Sequence, residues 1–582
     1  MTTPRALEQV QGIAAGQGPL RGASSATSIW SAISRRDGAV FCLLAILHIA
    51  ALTLMAATET DLVARAAFLL VWALLNCFWL LLFRRPLVAA LLSLELVVVL
   101  TLLSRFKFDK LWMTVDFVDL MIVDRDTSAF LLTAFPSLRG WIALAAAVTV
   151  VLLIAAWRLD PFRVRMRTSF VSVALCLVGL TALSLSFPTD LQEDFVSQNY
   201  VSKFARTGVE AIHEFAAHGY LQADAGVADS LDAAAACNPP RKLPHIILLH
   251  DESSFDITVA PGINVPAGYR RHFQSSDDKA RKLVVEGVGG PSWFTEYNVL
   301  TGLSARSFGR FATSVTRIAA GRVSRGLPHS LSRCGYTTYS LYPFYGAFLG
   351  SRAFQTTAGI AHYLDMLDLG TRNFEADGFY LDQATSIIER ERGHGPLFLY
   401  VYTVANHFPW DTRLRPELTP DWHDLGNAPD VEEYIRRQGM SARDYSRWLA
   451  RLAQQFPAES FLIVRYGDHQ PQFGPRIIDP SLGEAALARR LEALDSRYLT
   501  TYYAIDAVNF TPADLSSALD TLDAAYLPLI MQEAAGVPLD PSFVEQKKIL
   551  QRCDGRFYRC ADGAEARRFN RLLIDAGSIK GL

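Results

Sequence analysis

The chain has 582 residues, of which 50% are hydrophobic and 20% charged, and its net charge is -2. That length is too great for one compact core, and the apolar excess excludes an ordinary soluble enzyme. The absence of a polybasic character excludes nucleic acid as an expected partner.

The apolar residues fall almost wholly before position 190. Five stretches are long and apolar enough to cross a bilayer, at 38–58, 66–83, 86–104, 140–157 and 168–187. The second and third are separated only by "RRP", which reads as a tight helical hairpin. A cleavable signal peptide fits poorly, because a long polar stretch precedes the first span and four more follow. Arg5, Arg21, Arg35 and Arg36 precede the first span, Arg84 and Arg85 the third, and "WRLDPFRVRMR" joins the last two. The other loops are acidic or mixed, so the N-terminus is expected in the cytoplasm and everything after Phe187 outside.

Four parts are therefore expected: a cytoplasmic tail at 1–37, a transmembrane domain at 38–187, a linker at 188–243 and an outer domain at 244–582. Within the second, "FDKLWMTVDFVDLMI" predicts a surface helix near 109–135, with Trp112 and Phe117 in the headgroup zone. An amphipathic connecting helix is expected from "DLQEDFVSQNYVSKFARTGVEAIHEFAAHGY". Cys42, Cys77 and Cys176 fall in membrane spans as small apolar residues. Cys237, Cys334, Cys553 and Cys560 fall in the outer domain, an even number suited to an oxidising compartment. "RCDGRFYRC" could close Cys553 to Cys560 and leave Cys237 with Cys334, one of three connectivities. Zinc is the alternative, but the spacing is wrong and no histidine accompanies them.

From Pro244 the texture changes. "HIILLH", "KLVVEGV", "TTYSLY", "PLFLYVYTV" and "FLIVRYGD" read as buried strands between helical stretches, the pattern of a mostly parallel sheet covered on both faces. Ligands collect at the C-terminal strand edge in such folds, and polar groups fall there. "HDESSFD" offers Asp251, Glu252 and Asp256, each equally readable as loop solvation. "YGDH" offers Asp468 and His469, "ANHFPWD" offers His407 and "GSRAF" offers Arg352. Ser292, in "GGPSWFTEYNVLTGL", stands at the mouth of a helix after a glycine turn. It reads as an N-cap or as a nucleophile held where backbone amides favour an anion. Glu252, Asp468 and His469 make a mixed oxygen and nitrogen set suited to zinc or manganese, with magnesium as a third candidate. Beside such an ion Ser292 would lose its proton readily, and Arg352 and His407 could hold a phosphoryl group.

The spans, the surface and linker helices and this motif order resemble lipoteichoic acid synthases and the related phosphoglycerol and phosphoethanolamine transferases of the alkaline phosphatase/sulfatase superfamily. The resemblance implies a sulfatase-like catalytic domain on the periplasmic side of a bacterial inner membrane. "ESSF" then gives Glu252 as a metal ligand, "YGDH" gives Asp468 and His469, and the residue four before Glu296 in "SWFTEY" gives Ser292 as nucleophile and ligand. Arg352 and His407 match the family's substrate-contacting residues. Two departures stand out: serine replaces the usual threonine, and Gly350 replaces an aromatic residue two places before Arg352. Glu296 reads as a helix-face carboxylate, and His245, His250 and His329 as local polar groups. The implied reaction is transfer of a phospholipid headgroup, phosphoglycerol or phosphoethanolamine, through a Ser292 intermediate to a periplasmic glycan or lipid. The rivals are a membrane-anchored phosphodiesterase or sulfatase-type hydrolase and a non-catalytic glycan- or lipid-binding relative. "PSWFT" lacks the modifiable-residue context a sulfatase needs.

Overall fold

The computed structural model describes residues 35–111, 113–123, 125–189, 197–232, 236–239 and 242–582. Arg5, Arg21, Trp112 and the first part of the expected linker helix lie outside the described residues. Five helices are long and apolar enough to cross a membrane: α1 (Arg35–Thr58), α2 (Leu62–Phe83), α3 (Pro86–Leu111), α6 (Leu138–Leu159) and α7 (Met166–Ser186). Between α3 and α6 lie two short helices, α4 (Phe117–Ile122) and α5 (Arg125–Ala134), where one surface helix was expected. The break has a local cause. Asp116 and Asp119 form a capping box, each carboxylate accepting the other's backbone N–H, and this starts α4 afresh. Residues 109–111 belong instead to α3, which runs seven residues past the expected end at Ser104. The Phe117 ring packs on Phe204, with centroids 5.6 Å apart, and closes over Gly208.

Both contacts are with α8 (Tyr200–His218), the linker helix, which ties the two parts of the chain together. At its start the buried Glu59, just past α1, accepts from the Val201 N–H at 3.2 Å and the Ser202 hydroxyl at 2.5 Å. Midway along it Glu210 pairs with Arg310 of the outer domain at 2.6 Å.

The outer domain is built on an eight-stranded sheet: β1 (His245–Asp251), β2 (Arg281–Val284), β3 (Thr337–Leu341), β4 (His362–Leu364), β5 (Leu397–Tyr402), β6 (Phe461–Gly467), β7 (Thr500–Val508) and β8 (Thr521–Asp523). The order is β4-β3-β5-β1-β6-β7-β2-β8. β4, β3, β5, β1 and β6 run parallel, β7 is antiparallel to both its neighbours, and β2 and β8 pair parallel. β1, β5 and β6 are buried throughout. Their alternate residues feed two cores: Ile246 and Leu248 pack on one face, Ile247 and Leu249 on the other. This is why these strands read as unbroken apolar runs.

Cys237 is bonded to Cys334 and Cys553 to Cys560, while Cys42, Cys77 and Cys176 are free. The first bridge spans 97 residues of sequence, so its loss should release far more chain entropy than loss of the second. Cys334→Ser with Cys237→Ser is expected to cost about 4 kcal/mol, against roughly 2–3 kcal/mol for the seven-residue bridge. Thermal unfolding of the two double variants in detergent checks the order; equal losses would contradict it.

Candidate functional site

The register of the central strands assembles the site. Asp251 at the end of β1 pairs with Gly467 at the end of β6, so the next residues of each strand, Glu252 and Asp468, emerge side by side. His250, opposite Tyr402 of β5, completes the edge. The carboxylate of Asp468 accepts the Ser253 N–H at 2.7 Å, and Glu252 accepts from the Ser253 hydroxyl at 2.8 Å and the Tyr402 hydroxyl at 3.0 Å. His469 Nε2 lies 3.2 Å from Asp468 Oδ2 and 3.5 Å from Glu252 Oε1.

Ser292 approaches from the other side, on α9 (Ser292–Thr301). The turn before it is made by glycine: Gly289 has φ +71, a Cβ there would press on Gln472, and its N–H donates to the Gln470 carbonyl at 3.1 Å. Ser292 is the first helical residue, after an N-cap Pro291 that makes no side-chain capping bond, and its own hydroxyl bonds to side chains across the site. The hydroxyl turns to the strand edge, 3.3 Å from Glu252 Oε2 and 3.1 Å from His469 Nε2. All four residues are buried.

His250 belongs to this cluster. Its Nε2 is 3.2 Å from Asp468 Oδ2 and 3.6 Å from Glu252 Oε2, and His250, Glu252 and Asp468 form a group able to hold a metal ion. The reading of His250 as a local polar group is thus too narrow. Its Nδ1 is engaged by Tyr400 and Tyr466, at 3.1 and 2.8 Å, which leaves Nε2 to face the carboxylates. His250 Nε2 and Asp468 Oδ2 are both buried and meet only groups of this cluster, each other at 3.2 Å and, for Asp468, His469 Nε2 at 3.2 Å. Buried imidazoles and carboxylates that converge on one another in a dry site are a donor set that a cation could use in place of the histidine protons. Burial lowers both histidines, but Asp468 and Glu252 outweigh it and each imidazole is pushed up to about 9. Burial raises Glu252, yet the two histidines hold it well below the usual carboxylate range.

A cavity of about 840 Å³ opens in front of Ser292. His407 lines it, stacked on Phe408 with its Nδ1 2.6 Å from the Phe408 carbonyl. Glu296, one helical turn after Ser292, also lines it. Burial pushes its carboxyl up to about 7, while Gln355 and Ser351 donate to it at 2.8 and 3.1 Å. Arg352 stands apart from this network. It pairs with Asp365 and Asp368, at 2.8 and 2.9 Å, and lies over the Tyr363 ring. Asp251 faces away from the cluster, paired with His272 at 2.7 Å. Asp256 caps a short helical turn by accepting from the Thr258 N–H.

Residues 294–504 match the Sulfatase family model, an interval that begins just after Ser292 and includes Arg352, His407, Asp468 and His469. No curated protein matches the chain significantly. Among solved structures it is similar to the phosphoglycerol transferase GacH of Streptococcus pyogenes, at 15% identity and a TM-score of 0.43, over 58% of this chain and 87% of that one. The lipooligosaccharide phosphoethanolamine transferase EptA of Neisseria meningitidis is similar at 11% identity and a TM-score of 0.41, over 82% and 96%. The lipoteichoic acid synthase LtaP of Listeria monocytogenes is similar at 13% and 0.37, over 51% and 73%. The chain thus joins five membrane-length helices to a sulfatase-like α/β domain with a mostly parallel sheet.

Proposed function

We propose that the chain is a metal-dependent membrane phosphotransferase that takes the headgroup phosphate of a phospholipid onto Ser292 and passes it to a hydroxyl acceptor. One observation carries this reading. The Ser292 hydroxyl is uncommitted to its helix and sits 3.3 and 3.1 Å from two of the groups that converge as a cation site. Glu252, Asp468, His469 and Ser292 are the residues that would hold the ion, with His250 beside Asp468; the mixed donor set suits zinc or manganese. Such an ion would lower the proton affinity of the serine oxygen and neutralise charge on the phosphoryl oxygens.

In the first step a bond forms between Ser292 Oγ and phosphorus, the bond from phosphorus to the diacylglycerol oxygen breaks, and that oxygen ends with the serine proton. In the second step an acceptor hydroxyl displaces serine in the same way, so the protein emerges unchanged. His407, in the cavity wall, would meet the phosphoryl oxygens or the leaving oxygen. Arg352, held by two aspartates, would have to leave them to serve as a clamp. The donor is a phosphoglycerol or phosphoethanolamine lipid and the acceptor a periplasmic glycan or lipid. Two disulfides in the outer domain and arginine-rich loops at the opposite side support an outward catalytic domain on a bacterial inner membrane.

The test uses the full chain in nanodiscs with fluorescent phosphatidylglycerol or phosphatidylethanolamine. Diacylglycerol release, with a headgroup-phosphate mass on the peptide containing Ser292, is the expected result and names the donor. Release of headgroup phosphate to water alone, at the full rate with any acceptor present, would make the protein a hydrolase.

A further inference from the structure

The catalytic cavity is not closed by the outer domain alone. Asp109, Lys110 and Leu111, the last residues of α3, line it together with Glu252, Ser292 and His407. The length of α3 explains how a membrane helix arrives there. Its apolar part, 86–104, covers roughly the 30 Å of a hydrocarbon core, and the remaining residues project it roughly 10 Å further. The facing wall is aromatic, with Phe344, Phe348 and Phe374 in the lining, and Phe130 of α5 packs on two of these rings at 5.7 and 6.0 Å. The lining of the cavity thus joins the end of a membrane helix, aromatic rings of the outer domain and the serine.

Charge distinguishes Lys110 from its neighbours. Two lysine or arginine side chains line the cavity, and Arg476 is paired with Asp430 at 3.0 Å. Lys107, one turn back on α3, is paired with Asp119 at 2.6 Å. Lys110 is exposed and makes no ion pair among the described residues; its nearest described partner is the Phe135 ring, 6.0 Å away. An ammonium without an ion pair among the described residues, carried by a membrane helix into the cavity of a nucleophile, is placed to receive an anion arriving from the bilayer.

We infer that the outer end of α3 is part of the donor site: Lys110 draws in the phosphodiester of a membrane phospholipid, and Asp109 and Leu111 border its glycerol backbone, so that the cavity selects a bilayer lipid over a soluble phosphodiester. This rests on the phosphotransfer reading above and adds to it a residue that recognises the lipid. It gives α3 a role in specificity besides anchorage, through residues that belong to no sulfatase-like sheet.

The full chain in nanodiscs containing phosphatidylglycerol or, separately, phosphatidylethanolamine is compared with the same preparation acting on bis(p-nitrophenyl) phosphate. The quantity read is kcat/KM for lipid divided by kcat/KM for the soluble diester. Lys110→Ala is expected to lower this ratio roughly tenfold, mainly through the lipid KM, and Lys110→Glu to lower it further. A parallel measurement places a benzophenone side chain at position 111, beside an intact Lys110, in Ser292→Ala protein, where irradiation should attach phospholipid. An unchanged ratio in both Lys110 variants, or irradiation that attaches no lipid, overturns the inference while the wild-type release of diacylglycerol keeps phosphotransfer standing. Wild-type protein that releases diacylglycerol from neither lipid overturns both.

Discussion

Ser292→Ala is expected to abolish diacylglycerol release and the covalent adduct, with a fall of at least roughly 10³-fold in turnover, while leaving the thermal midpoint close to that of the wild type. The two halves of this expectation come from the same geometry. As the first residue of α9, with its hydroxyl bonded to side chains across the site, the side chain contributes little to the helix, so the cost of its removal should stay below about 1 kcal/mol. As a hydroxyl between Glu252 and His469 it is the one group in the cluster able to become an alkoxide facing the cavity. An N-cap would give the opposite pair of results, a loss of about 1 kcal/mol with chemistry retained. Single-turnover release of diacylglycerol, intact mass and a melting curve on one preparation separate the two. Retained turnover with a lowered midpoint would return Ser292 to a structural role and leave the cluster without its nucleophile.

How much of this was legible depends on what each residue is buried against. β1, β5 and β6 were readable because strands covered on both faces must be apolar along their whole length. β4 and β8 have three residues each, too few for any pattern. β7 escaped because "TTYYAIDAV" mixes hydroxyls and a carboxylate with apolar residues; Asp506 is paid for inside by Arg465 at 3.0 Å, a contact no spacing announces. The observed disulfide pairs are one of the three connectivities that the even count and the short loop left open. Of the site, Glu252, Asp468 and His469 were visible as polar residues beyond apolar runs. His250 was missed because a histidine closing such a run looks like packing. A signal was present nonetheless: alternate residues of a strand share a face, so a His-x-Glu at a strand end aims both groups the same way. The reach of α3 into the cavity had no such signal, because "RFKFDKL" continues a helix or begins a loop equally well. The partners of Arg352, Asp365 and Asp368, lie on a segment whose approach depends on the tertiary fold.

Protein stripped of metal is expected to lose stability as the pH rises from 7 to 9.5, while metal-loaded protein does not follow it. The sign comes from the histidines. In the empty cluster Asp468 and Glu252 hold His250 and His469 at about 9, above the ordinary value near 6.5. A pKa raised by folding stabilises the folded state below the unfolded value, and that stabilisation is lost as pH climbs through the folded one. Above about 9 the imidazoles are neutral, and two buried carboxylates face each other without a counter-charge. Metal binding requires those same neutral imidazoles, so it replaces protons that the stripped site carries at pH 7. The difference in melting temperature between loaded and stripped protein should therefore widen with pH, and metal added at pH 7 in weak buffer should release protons. His250→Gln should reduce both effects, because one of the two raised groups is gone. Parallel curves for loaded and stripped protein, with no proton release, would mean that the cluster does not exchange protons for an ion, and the cation site would have to be sought elsewhere.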